Sequence, residues 1–235
     1  QIVEVRRFLH VSTLSVFAKR DMAVSFRSAS VELSNTNIIK ANAMVQIAIN
    51  KALNTNAPKY NKSKFKQMVR YALSLTRNHE DFYPLIRKAF FEAGVILVIL
   101  PNLPGSKING ATKRLEKNVM LMVNDRRLNA DTFWFTLFHE IGHIIHGDYG
   151  ISFEKETGEK EETADRFAAD LLIEPDEYQQ FVRGNMFTLT KIREFADLID
   201  RDPGIVLGRL QKDGLVRYDD WELNSLRHKY KVKIS

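Results

Sequence analysis

Residues 131–147 read DTFWFTLFHEIGHIIHG, and the rest of the chain is best read outward from them. The stretch contains His139-Glu140-Ile141-Gly142-His143, an H-E-x-x-H pattern. Histidines at i and i+4 of a helix stand one above the other on the same face, so both rings can reach one ion. Glu140 leaves the helix beside them, where a carboxylate can hold and deprotonate water. The flanking run Phe133–Phe138 is apolar at helical spacing, which predicts a buried helix to about His146. Asp131 and Thr132 are the expected caps, and Gly147 is the expected stop. The pattern is that of zinc peptidases, with the histidines as ligands and the glutamate as base. Zn2+ is the expected cofactor, His139 and His143 the expected ligands, and Glu140 the expected catalytic residue.

Two histidines do not complete such a site; a third protein ligand is needed, with one position left for water. The extended pattern with a third histidine ten residues after the first fails, because that position is Tyr149 and the glycine position holds His146. His146 is two turns beyond His139, about 10 Å along a helix axis, too far to share one ion. It and Tyr149 remain candidates to assist the transition state, by proximity in sequence alone. The next helix offers a better ligand. Glu161 and Asp165 are four residues apart on the stripe that carries Ala164, Ala168, Leu171 and Leu172. Acidic side chains on a buried stripe need partners. Glu161 as a ligand and Asp165 as the hydrogen-bond acceptor of a ligating imidazole would satisfy both. Glu162 falls on another face, near Arg166.

Around these helices the period changes. Residues 1–93 read as mostly helical, with apolar residues at helical spacing in Ile2–Val11, Ile38–Leu53, Phe65–Leu75 and Phe82–Ala93. Asn61 and Ser63 are candidate caps, and Gly94 reads as a stop. Val95–Leu100 is β-branched and apolar, hence a strand. Pro101–Gly110 reads as a loop, followed by strands at Ala111–Leu115 and Val119–Val123. A polar loop is expected from Gly147 to about Gly158, then a helix over Glu159–Ile173. A helix pair at Thr188–Ile199 and Gly204–Lys212 and a last helix at Trp221–Tyr230 follow. The expected class is α+β: a helical N-terminal part, then a small β-sheet packed on the H-E-x-x-H helix and the helices after it. The division this implies is 1–75, a helical N-terminal or linker region; 76–187, the core carrying the site; and 188–235, a C-terminal helical region.

Composition narrows the function classes. The chain has 235 residues, 44% hydrophobic and 27% charged, as in a soluble folded protein rather than a disordered one. There is no cysteine, so disulfides, cysteine-based zinc fingers and thiol nucleophiles are excluded. The simplest expectation is a cytoplasmic address with no membrane span, since the longest apolar run, Val95–Leu100, is far too short for one. Net charge is +6, and residues 1–95 carry 15 basic against 6 acidic side chains. That excess allows a nucleic-acid or acidic partner, but it is spread thinly enough to be a solvated helical surface. The chain opens on Gln1 rather than Met, which points to a segment removed before it.

The runs DTFWFTLFHEIGHIIHG and EETADRFAADLLIEP (Glu161–Pro175) resemble the ImmA/IrrE family of zinc metallopeptidases. LPGSKINGAT (Leu103–Thr112) and PGIVLGRLQKDG (Pro203–Gly214) look like one branch of it. VRRFLHVS (Val5–Ser12) and SFRSAS (Ser25–Ser30) are similar to the segment that follows an N-terminal helix-turn-helix domain in that branch. The resemblance implies a gluzincin-like fold, with zinc on His139, His143 and Glu161 and Glu140 as base. Thr163 stands where an acidic residue is frequent, which leaves Glu162 open as an alternative to Glu161. It also implies a protein substrate, typically a transcriptional repressor or other transcription factor, in a mobile-element, toxin–antitoxin or stress-response setting. DNA contact would come through the missing N-terminal domain. Two other readings stay open: a DNA-binding regulator using a helix-turn-helix at Ile192–Leu210, and a sensor whose zinc site does not cut.

Overall fold

The computed structural model describes residues 1–19, 32–126 and 129–230; SFRSAS lies outside them. The elements, in chain order, are α1 (Ile2–Leu9), a 3-10 turn (Leu14–Ala18), α2 (Asn35–Leu53), α3 (Lys62–Leu73), α4 (Phe82–Glu92), β1 (Val95–Leu100), β2 (Ile108–Arg114) and β3 (Val119–Asn124). Then follow α5 (Ala130–His146), β4 (Gly150–Phe153), α6 (Glu159–Leu172), α7 (Pro175–Arg183), α8 (Leu189–Leu198), α9 (Pro203–Lys212) and α10 (Trp221–Asn224). The class is α+β. No helix among the described residues is long and apolar enough to cross a membrane.

The sheet has the order β1-β3-β2-β4. β1 runs parallel to β3, with Val95 opposite Val119, and β2 is antiparallel to both β3 and β4. β1 and β3 are apolar at almost every position because both sheet faces are covered. Side chains alternate across the sheet. Val95, Leu97, Val119, Leu121 and Val123 join the core formed with α3 to α6, α8 and α9. Ile96, Val98, Leu100, Met120 and Met122 face the other way, onto Ala41, Met44, Val45, Ala48 and Ile49 of α2. The result is three layers: α2, the sheet, and the helices that carry the site.

Several boundaries depart from the sequence reading. Asp131 does not cap α5: Asn129 holds that position, without a side-chain bond, and the Asp131 carboxylate turns to Arg227 at 3.0 Å. The expected loop after Gly147 contains β4, which pairs with β2. α7 fills a stretch between Pro175 and Thr188 for which the sequence reading gave no element; Pro175 occupies its first turn and Glu174 accepts from the Asp176 and Glu177 amides. Helix over Trp221–Tyr230 shrinks to Trp221–Asn224, because the chain beyond it is drawn against α5. Ala130 N–H donates to the His228 carbonyl at 2.9 Å, and Asn129 pairs with Lys229.

α5 and α6 pack closely, and Gly142 is the reason they can. A Cβ built at Gly142 would lie 3.1 Å from Phe167 and 3.3 Å from the Cα of Ala164. The small residue inside the H-E-x-x-H pattern therefore lets the backbone of α6 approach the helix that carries both histidines.

Candidate metal centre

α5 presents His139 and His143 on the face it turns to α6, and α6 answers with Glu161 in its first turn. His139 Nε2 lies 3.0 Å from Glu161 Oε2, and His143 Nε2 lies 3.3 Å from Glu161 Oε1. The two imidazole Nε2 atoms are 3.0 Å apart. All three side chains are nearly closed off from solvent. Asp165, one turn along α6, takes His139 Nδ1 at 2.8 Å, so the ring is held from both sides. Glu161, rather than Glu162, is the carboxylate brought to the histidines.

Asp165 is itself held by Lys212, at the end of α9, whose Nζ is 2.9 Å from Oδ2. The same ammonium lies 4.4 Å from the ring centre of Phe135, a cation–π contact on the other side of His139. Lys212 was not visible in the sequence as a site residue, because nothing local ties it to a helix 47 residues earlier.

Glu140 is completely buried on the side of α5 that meets the sheet. A Cβ added to Gly110 of β2 would be 2.6 Å from Glu140 Cγ and Oε1. Gly110 thus leaves the space the carboxylate occupies; the sequence places it at the end of a loop, whereas β2 already starts at Ile108. Gly110→Ala is expected to displace Glu140 while leaving the histidines in place. Displacement of about 1 Å costs on the order of 10²-fold in rate. Metal content should stay at the wild-type level, which a paired measurement of turnover and bound metal checks.

A cavity of about 1210 Å3 opens beside the centre, lined by His139, Glu161, Asp165, Phe135 and Asn109 among others. Asn109 is there because β2 carries a bulge between Ile108 and Gly110, which breaks the register with β4. Bulges of this kind re-aim one side chain. Tyr149 and His146, read as transition-state helpers, do not line this cavity. His146 is exposed at the end of α5, with Nδ1 2.7 Å from the Gly142 carbonyl. Tyr149 packs into the core and lies close enough to Tyr60 to act on its ionisation.

The charges favour a bound cation. Burial alone would lower the basicity of His139, but its hydrogen bonds to Asp165 and Glu161 outweigh burial and raise its pKa to about 9. Burial alone would raise Glu161, but the two histidines pull it well below the usual carboxylate range. An anionic carboxylate facing two imidazole nitrogens thus keeps a proton in the pocket when no cation is there. A metal ion must displace that proton. Metal affinity is therefore expected to rise up to tenfold per pH unit from pH 6 to about 9, then level off; titrations across that range check it. In the metal-free protein, the His139 contribution to stability is fully present below its unfolded pKa of about 6.5 and disappears as pH rises through about 9. Melting temperature without metal should accordingly fall over that window.

Two histidines one helical turn apart, a carboxylate from the following helix and a glutamate beside them make up the equipment of an H-E-x-x-H metallopeptidase. Residues 96–196, which hold His139, Glu140, His143, Glu161 and Asp165, match the family model of the IrrE N-terminal-like domain, Peptidase_M78, a metallopeptidase family. Neither the curated proteins nor the solved structures contain a match.

Proposed function

We propose that the protein is a zinc-dependent endopeptidase that cuts a partner protein, with a transcriptional repressor or other transcription factor as substrate. The observation that carries the reading is the convergence of His139, His143 and Glu161, with His139 and Glu161 lining an open cavity. The donor set fits the ion: two neutral imidazoles and one carboxylate are a ligand set of catalytic zinc, leaving a position for water. When bound, zinc supplies Lewis acidity, which acidifies water and polarises a carbonyl.

The chain's own residues do the rest. Glu140, in its dry seat against Gly110, takes a proton from the attacking water and passes it to the leaving nitrogen. Asp165 fixes the orientation of His139 and makes it a stronger donor, and Lys212 holds Asp165 in that task. Asn109 offers an amide from the cavity wall that can bond the substrate backbone.

A DNA-reading role for α8 and α9 has weaker support. Ile205, Val206, Leu207 and Leu210 of α9 are buried in the main core, which leaves little of that helix to enter a groove. The cell is the natural assay for cleavage, because the substrate is a specific protein. Wild type and Glu140→Gln are expressed in parallel, and newly formed protein N-termini are mapped. The reading expects at least one new N-terminus inside a transcription factor, present only with wild type. Identical N-terminal profiles would sink it.

A further inference from the structure

We propose that His79, Asp202 and His228 form a second metal site, separate from the first, that takes a divalent transition ion such as zinc. The three residues come from distant places: the turn before α4, the connection from α8 to α9, and the segment after α10. His79 Nε2 is 3.1 Å from Asp202 Oδ2, and His228 Nδ1 is 2.8 Å from the same oxygen. The two imidazoles stack, with centres 3.7 Å apart. Their donor atoms and the carboxylate oxygen all lie within 4.8 Å of one another. A tetrahedral ion with bonds of about 2.0–2.1 Å places its donors about 3.3 Å apart. The contacts to Asp202 therefore fall a few tenths of an ångström inside that edge, as the contacts in the first centre do.

The surroundings are those of a prepared site rather than a chance surface cluster. Asp202 is completely buried, and its other oxygen takes the Gly204 amide at 2.8 Å, capping α9. A buried carboxylate needs a cation, yet the bonds of Asp202 go to that amide and the two imidazoles rather than to a Lys or Arg. His79 Nδ1 is 2.8 Å from the Tyr230 hydroxyl, which also accepts from Trp134 Nε1 at 3.4 Å and whose ring stacks on Phe82. Such support on the far nitrogen fixes the orientation of a metal-binding ring. The His228 side chain is half exposed, so an ion can enter and keep water on its open side. His79, Asp202 and His228 all lie outside 96–196, so the family match does not assign them. α9 links the two centres, since Asp202 caps its start and Lys212, near its end, holds Asp165 beside His139.

Metal counting on the 235-residue chain tests this. Wild type, His228→Ala, Asp202→Asn and His139→Ala are stripped, loaded with Zn2+, dialysed and analysed by mass spectrometry. Asparagine caps helices as well as aspartate does, so Asp202→Asn removes the charge while keeping the cap. Two ions per wild-type chain, falling to one in both His228→Ala and Asp202→Asn, are expected. One ion in wild type that disappears in His139→Ala, or a wild-type count unchanged in both second-site variants, overturns the proposal. His139→Ala leaves the second cluster untouched and should bind one Co2+ with visible ligand-field bands. A His139→Ala protein that binds no cobalt overturns the proposal without any change at the second site. A single wild-type ion kept in His139→Ala and lost in His228→Ala would support the second site and contradict the peptidase centre instead.

Discussion

Glu140→Gln is expected to reduce peptide-bond cleavage by about 10²- to 10⁴-fold, the range that a positioned general base contributes. Metal content should not change. Glutamine has nearly the same shape, and the space that Gly110 leaves for the side chain is preserved. The carboxylate is not one of the three groups gathered around the ion position. The variant therefore separates proton transfer from metal binding. Cleavage of a mapped substrate, followed by the appearance of its new N-terminus and paired with metal analysis, checks both halves. Wild-type rates in a metal-replete Glu140→Gln protein would contradict the assigned role.

Glu161→Ala should act one step earlier, at the metal. The variant removes the anion that both imidazoles face, at 3.0 and 3.3 Å, and leaves two histidines, too few for tight zinc binding. Affinity at this centre should fall by more than about 100-fold, enough for dialysis to empty it, and cleavage should disappear with the ion. Asp165→Asn provides the graded comparison. One of its oxygens takes the far nitrogen of His139 and the other is held by Lys212, so it stays off the metal itself, and outer partners of this kind are worth about 10- to 100-fold in affinity or activity. Competition with a zinc-binding dye ranks the three proteins. An Asp165→Asn loss as large as that of Glu161→Ala would mean that the two carboxylates have been given the wrong roles.

The parts of this molecule that follow a local period were readable from the chain. The apolar run before His139, the four-residue spacing of the histidines, and Glu161 and Asp165 on the stripe of Ala164 and Ala168 are all one-helix facts. They place α5, α6 and the donors on matching faces before any fold is known. The unbroken apolar runs of β1 and β3 likewise read as strands, and the cover on both sheet faces explains why neither shows a polar side. What escaped the sequence was set by distant partners. Asp131 looked like a helix cap, but Arg227 claims its carboxylate. The last helix looked longer, but pairing of residues near His228 with the start of α5 ends it. β4 is four residues inside a polar stretch and gains its identity only from β2. α7 does carry a local signal, Pro175 behind a capping Glu174, but the same proline reads equally as the close of α6. Gly110, Lys212 and the cluster at Asp202 share one feature. Each matters through a neighbour more than ten residues away, where periodicity has nothing to say.

On the proposed function, His139, His143 and Glu161 hold one catalytic zinc ion. The most direct measurement is anomalous X-ray diffraction at the zinc edge from crystals of the zinc-loaded protein. The account predicts a strong peak about 2.0–2.2 Å from His139 Nε2, His143 Nε2 and a Glu161 carboxylate oxygen. A zinc-loaded crystal with no peak among these three side chains would contradict it.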